Sequence, residues 1–201
     1  MIRYNSLKII TFHDKISRGR KMKIINWHKK KYPLMTQIDL YKLIYQGEFG
    51  TGHNINNIHQ AMARLLNEME SINLNIYQDL YEEISTNCVR VNLSPYQNFQ
   101  LDAYYLFDAF VDSSKQEGNN ESFLKKLNSA NLDTNNIGAV HHSNEYSLNY
   151  NPHYRVINKT YITEEMKIVQ CFNFIRNLNG KNIIALEGKC GSGKTTLVKK
   201  L

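Results

Sequence analysis

A mainly α-helical domain, followed by the first strand, glycine-rich turn and helix of an incomplete α/β domain, is the fold class the sequence predicts. Three observations carry it. Apolar residues recur at helical spacing in several segments between residues 34 and 130. Short β-type alternation is confined to "CVRVN". The apolar, β-branched run "NIIAL" leads straight into "EGKCGSGKTTL" at the end of the 201-residue chain.

The elements follow in order. Residues 22–33 read as a short basic, amphipathic lead-in. "YPLMTQIDLYKLIYQ" predicts a helix, because Thr36 and Asp39 form a capping-box pair for its first turn. Its expected apolar face is Ile38, Tyr41 and Tyr45, with Leu34 and Ile44 beside it, and the glycines of "EFGTGH" end it. "IHQAMARLLNEMES" predicts a second helix with Ile58, Met62, Leu65, Leu66 and Met69 on one face. "YQDLYEEIS" predicts another short helix. "CVRVNLSPY" predicts a strand ended by Pro95. "FQLDAYYLFDAFVDSS" predicts a strongly apolar helix, with Tyr104, Tyr105, Phe107 and Phe110 as core aromatics. "SKQEGNNES" reads as a loop and "FLKKLNSA" as a helix. Ser143 is a cap candidate in "AVHHSNEYSLNYNPHYRVI". Thr163 starts a helix in "TEEMKIVQCFNFIRNL", which Asn179-Gly180 stops. The expected organisation is a basic tail at residues 1–21, a helical domain at 22–160, a connecting helix at 161–180 and the start of a second domain at 181–201.

Charge is unevenly placed. The net charge is +7, but residues 1–33 hold ten Lys/Arg against one acid, whereas the remaining residues carry a net −2. A nearly neutral body argues against a nucleic-acid partner and for a solvated basic tail. "SRGRKMK" resembles a translated ribosome-binding site, so Met22 is an expected natural start, with residues 1–21 not native. Cys88, Cys171 and Cys190 are odd in number and far apart, which fits a reducing compartment. No run of about 18 apolar residues and no signal-peptide core is present, so cytoplasm is the expected location and no membrane is expected.

Gly188, Lys189, Cys190, Gly191, Ser192, Gly193, Lys194 and Thr195 satisfy G-x-x-x-x-G-K-[ST] between a strand and a helix-compatible segment. Glycines let backbone N–H groups turn inward around phosphate, and the helix N-terminus adds its dipole. In such a loop Gly188 to Thr196 would hold the nucleotide. Lys194 would neutralise β- and γ-phosphate charge in the transition state, and the Thr195 hydroxyl would bind Mg²⁺. A P-loop domain also needs further parallel strands and a second acid for Mg²⁺, which cannot fit after Leu201. The expectation is that this chain alone binds ATP weakly or not at all.

A second set of residues lies in the helical half. Glu48 and His53 stand in "YQGEFGTGHN", Arg90 in "CVRVNL", and His141, His142, Tyr146, Tyr150, His153, Tyr154 and Arg155 in "HHSNEYSLNYNPHYRV". If these segments meet, Glu48 and a histidine could form an acid/base pair, and Arg90 or Arg155 could hold a phosphate or carboxylate. The competing reading is a packed interface in which these groups bond to one another. No HxxxH or CxxC spacing supports a metal.

The "GKCGSGKTT" turn resembles that of P-loop phosphotransferases, especially uridine and nucleoside kinase-like proteins. "EFGTGH", "RVNL" and "HHSNEYSLNYNPHYRV" are similar, in the same order, to the N-terminal domain of a bacterial family of uridine kinase-like proteins. The resemblance implies ATP and Mg²⁺ as cofactors and phosphoryl transfer to a nucleoside-like hydroxyl acceptor in the full-length protein. Two other functions remain open. One is an ATPase coupled to a partner-binding or regulatory domain. The other is a helical domain that is itself a ligand-binding or catalytic module using Glu48, His53, His142 and Arg155.

Overall fold

The computed structural model describes residues 7–9, 21–50, 55, 57–74, 79–132, 141–163, 166, 167, 169, 180, 183–185, 190, 191 and 195. Among them are seven α-helices and a three-stranded antiparallel sheet. Strand β1 (Leu7–Ile9) comes first, followed by α1 (Lys21–Lys31), α2 (Gln37–Phe49) and α3 (Ile58–Ser71). Then come β2 (Tyr81–Glu83), β3 (Cys88–Asn92), α4 (Leu93–Asn98), α5 (Ala103–Ser113) and α6 (Asn120–Ser129). Helix α7 (Asn144–Tyr150), β4 (Tyr154–Asn158) and β5 (Ile183–Ala185) complete the order. β5 pairs in parallel with β1, Leu7 opposite Ile183.

Polar caps set most helix starts. Asn57, Asp102, Asn119 and Ser143 each accept a hydrogen bond from a backbone N–H of the first turn of α3, α5, α6 and α7. Such a side chain satisfies a donor that the helix itself leaves orphaned. Thr163 Oγ1 accepts from Met166 N in the same manner, where the connecting helix was expected to start.

The sheet order is β2-β3-β4, so β3 is the central strand, and all five of its residues are buried. Alternation along β3 sends Val89 and Val91 to one face and Cys88 and Arg90 to the other. The first face packs on Leu65 and Met69 of α3 and Leu106, Phe107 and Phe110 of α5, with Ile157 of β4. The second packs on Leu43 of α2, with Ile84 and Val156. A separate cluster joins Leu40 and Ile44 of α2 to Phe123 and Leu127 of α6.

Several expectations are corrected. "YQDLYEEIS" is a strand and hairpin rather than a helix: Tyr81–Glu83 pairs with Val89–Val91. The buried positions Leu80, Glu82 and Ile84 do alternate. The middle one is a carboxylate, which hides the strand period. After β3 the chain enters helix α4 immediately, and Pro95 sits in its first turn, where a missing N–H costs nothing. On α2 the buried side is Asp39, Leu40, Leu43, Ile44, Gln46 and Gly47, while Leu34 and Ile38 are exposed. Ile58 of α3 is likewise exposed. Of the four aromatics expected in the core of α5, Phe107 and Phe110 are buried but Tyr104 and Tyr105 are exposed.

Candidate functional site

The centre of the site is a short chain of polar contacts between α2, the turn before α7, and β4. Asp39 is fully buried in the first turn of α2. Its Oδ2 accepts from Thr36 N at 2.9 Å, Thr36 Oγ1 at 2.8 Å and Ser143 Oγ at 2.6 Å. Its Oδ1 accepts from Ser143 N at 3.0 Å and pairs with His142 Nδ1 at 2.9 Å. Burial raises the pKa of this carboxyl, and the hydrogen bonds from His142, Ser143 and Thr36 outweigh it, holding Asp39 below the ordinary carboxylate range. Asp39 is therefore ionised and only accepts.

The protonation of His142 follows. Burial pulls its pKa down to about 4, the charges of Arg90 and Lys42 act in the same direction, and the Asp39 hydrogen bond opposes them. The neutral ring donates from Nδ1 to Asp39, which leaves the Nε2 lone pair to accept from the Tyr154 hydroxyl at 2.6 Å. The imidazole stacks on Tyr146, with ring centroids 4.4 Å apart. Burial raises the pKa of Tyr154, so its hydroxyl is a neutral donor.

Arg90 lies behind this chain. Its guanidinium sits 4.4 Å from the centroid of the Tyr154 ring, and Nε and Nη2 donate to Gln46 Oε1 at 3.3 and 3.0 Å. Arg90 is buried, and its Nη1 has no partner among the described residues. The carboxylate opposite it in the sheet, Glu82, is instead bonded to Lys31 Nζ at 2.6 Å and Tyr32 Oη at 2.5 Å. Arg90 therefore projects a weakly compensated positive charge toward its surroundings.

Gln46, His142 and Tyr154 face a cavity of about 360 Å³ between α2, α3, α5 and β4. Its wall includes Lys42 and Gln46 of α2, Arg64 and Glu68 of α3, His142, and Tyr154 and Arg155 of β4. β4 is an edge strand, so side chains from both of its faces reach this one space. Glu68 Oε2 accepts from Arg155 Nη2 at 2.7 Å and Glu68 Oε1 pairs with His153 Nδ1 at 2.8 Å. Arg64 and Lys42 have no hydrogen-bond or ion-pair partner among the described residues. Burial, then the Arg90 charge, pulls the Lys42 pKa down to about 8 against the attraction of Asp39. Among the described residues, three cationic side chains thus line the cavity against one carboxylate.

Of the residues singled out from sequence, His142, Tyr154 and Arg155 meet in this cavity. Glu48 does not, so the expected acid/base pair is not formed between Glu48 and His142. Its carboxylate accepts from Asn119 N and Ser122 Oγ, both at 3.1 Å, and pairs with Lys126 Nζ, so it ties the end of α2 to the start of α6. It borders a different, more apolar cavity of about 590 Å³ on the other side of α2. Burial raises its pKa and the Lys126 and Asn119 contacts lower it further than that, keeping it ionised. Arg90 does not line the ligand-sized cavity either; it acts from behind Tyr154. His53 lies outside the described residues.

Most of the phosphate loop is also outside them: Gly188, Lys189, Ser192, Gly193, Lys194 and Thr196. Cys190 and Gly191 form an exposed turn after β5, with Gly191 at φ 76°, and Thr195 is helical and exposed. No three His, Cys, Asp or Glu side chains converge to hold a metal among the described residues. No described helix is long and apolar enough to cross a membrane.

Sequence reasoning missed Lys42, Gln46, Arg64 and Glu68, and saw Asp39 only as a cap. The signal was present. Asp39, Lys42 and Gln46 make a polar stripe along an otherwise apolar helix, and Arg64 and Glu68 stand one turn apart. The chain matches no family model, no curated protein and no solved structure.

Proposed function

We propose that the helical domain binds a small anionic molecule, bearing a carboxylate or a phosphate, in the cavity between α2, α3, α5 and β4. One observation carries the reading. Lys42, Arg64 and Arg155 open onto one space of about 360 Å³ in which Glu68 is the only carboxylate among the described residues. A guanidinium fork and a point ammonium suit the planar or tetrahedral oxygens of such an anion. The volume falls in the range of small-molecule sites. The measurement is calorimetric titration with sulfate, inorganic phosphate and acetate. Sulfate or phosphate should bind, and Lys42→Ala and Arg155→Ala should each weaken binding about tenfold or more. Equal affinity in wild type and both variants would reject the site.

A second reading is favoured by the turn at residues 190–191. Strand β5, a left-handed glycine at Gly191 and a helical Thr195 occur in the order that a phosphate loop requires. On this reading the protein is an ATP-dependent phosphotransferase of the nucleoside kinase-like kind. Lys194 and Thr195 serve ATP and Mg²⁺, and the anion cavity is a ligand site of the accompanying helical domain. Lys194→Ala in a protein carrying the whole P-loop domain should abolish ATP-dependent phosphorylation of a nucleoside panel. Retained phosphorylation would reject that role.

A further inference from the structure

We propose that Lys42 is an imine-forming residue, whose ε-amine condenses with the aldehyde or ketone carbonyl of an anionic ligand held in the cavity by Arg64 and Arg155. The inference rests on the anion-binding reading and adds to it the chemical class of the ligand, an oxo-acid or a phosphorylated carbonyl compound.

The first support is the company Lys42 lacks. Three other part-buried lysines meet carboxylates: Lys31 with Glu82, Lys126 with Glu48, Lys159 with Glu83. Lys42 meets none among the described residues, although it lines the cavity. Asp39, one turn away on the same helix, is already filled by donors from Thr36, His142 and Ser143. The second support is Arg90, a buried cation whose charge acts on Lys42. A site serving only to hold an anion gains from a firmly protonated lysine. This one works the other way, because burial and Arg90 bring the amine toward neutrality, to a pKa of about 8. A part-buried lysine under the charge of another cation is an activated nucleophile toward carbonyls.

The third support is a proton source on the same wall. Tyr154 Oη is hydrogen-bonded to His142 Nε2, and His142 to Asp39. In the condensation the neutral amine attacks the carbonyl carbon, the C–N bond forms, and the π pair moves to oxygen. That oxygen takes a proton from Tyr154, and the phenolate is refilled by the proton shed from the attacking nitrogen. The carbinolamine oxygen then takes one proton from solvent and leaves as water while the nitrogen lone pair closes the C=N bond. Overall, a protonated lysine and a carbonyl give a protonated imine and one water, with no oxidant or reductant consumed.

The experiment incubates the full chain with glyoxylate, or with acetaldehyde as an uncharged control, reduces with cyanoborohydride and maps labelled lysines by mass spectrometry. Sulfate binding is measured on the same protein. The expected result is glyoxylate labelling of Lys42 about tenfold or more faster than of exposed Lys125, suppressed by sulfate, and no such preference with acetaldehyde. Tyr154→Phe should slow Lys42 labelling, and Lys42→Arg should remove it. If sulfate binds but Lys42 is labelled no faster than Lys125, the imine proposal is overturned and the anion site stands. If sulfate does not bind and Lys42 is not labelled, both fall. Fast labelling of Lys42 that sulfate leaves unchanged would overturn the anionic ligand class.

Discussion

Asp39 Oδ1 and His142 Nδ1 stand 2.9 Å apart although 103 residues separate them in sequence. The contact joins the first turn of α2 to the turn that caps α7, and it fixes which nitrogen of the imidazole carries the proton. Everything on the cavity wall depends on that choice, because only a bare Nε2 can accept from Tyr154. One carboxylate thus closes two helix starts and sets the chemistry beside Lys42.

Asp39→Ala should therefore be among the most damaging single changes in the chain. It strands donors from Thr36, Ser143 and His142 in a buried place. The expected loss is about 3–5 kcal/mol, or on the order of 10 °C in melting temperature for a chain of this size. Asp39→Asn keeps the shape but makes one arm a donor, and should cost less. A thermal melt of Asp39→Ala that overlays wild type would remove Asp39 from this role.

Lys42 predicts how anion binding depends on pH. Its pKa in the folded chain is about 8, against an ordinary 10.5. The ammonium that attracts an anion is present below pH 8 and lost as the pH rises through it. Sulfate affinity, with a ligand charge constant over this range, should fall between pH 7 and pH 9. Lys42→Met should bind weakly with a flatter profile there. Affinity that is level across this window in wild type would contradict the assignment.

Much of the helical architecture was legible because caps and period agreed. Thr36, Ser143 and Thr163, each read as a helix start, stand at one. The pieces that misled share one physical cause, buried polar side chains. Glu82 breaks the apolar alternation of β2, and Asp39 and Gln46 lie on the buried side of α2. A reading that equates buried with apolar turns α2 the wrong way and exposes its functional stripe as surface. His142 and Arg155 were visible as an unusual cluster. Glu68, the partner of Arg155, was not, because their meeting spans 87 residues and depends on which side of β4 faces α3. Glu48 looked catalytic beside its glycines, yet its partner Lys126 lies in a helix whose position no local pattern reveals.

Acid should unfold the chain earlier than its carboxylates alone would require. His28 is fully buried, and its Nε2 donates to Glu83 O at 2.8 Å while Nδ1 has no partner among the described residues. Burial first, then the Arg90 charge, lowers its pKa to about 4, as burial does for His142. Between pH 6.5 and 4 the unfolded chain takes up protons that the folded chain refuses. The stability that the neutral rings contribute is thus complete above pH 6.5 and lost as the pH falls toward 4. Each ring accounts for up to roughly 3 kcal/mol. Urea melts followed by the single tryptophan, Trp27, which meets the His28 ring at 4.8 Å, should show this slope. His142→Gln should reduce it by about one proton. A level stability over this interval would contradict both shifts.

Gly47 and Glu48 are neighbours on α2, and substitutions at the two should separate the roles of its two sides. A Cβ at Gly47 would lie 2.8 Å from Ile84 O and 3.1 Å from Ser85 Cβ, so the helix rests directly on the β2–β3 turn. Gly47→Ala must lift α2 from the sheet, at about 1–3 kcal/mol. That movement carries Lys42 and Gln46 with it, and sulfate affinity should fall together with stability. Glu48→Gln weakens only the tie to Ser122 and Lys126 on the far side of α2. It should cost about 1–2 kcal/mol and leave sulfate affinity unchanged, because Glu48 borders the other cavity. Should Glu48→Gln abolish sulfate binding while Gly47→Ala leaves it intact, the site belongs on the α6 side of the helix, and the cavity beside Lys42 is not where the anion binds.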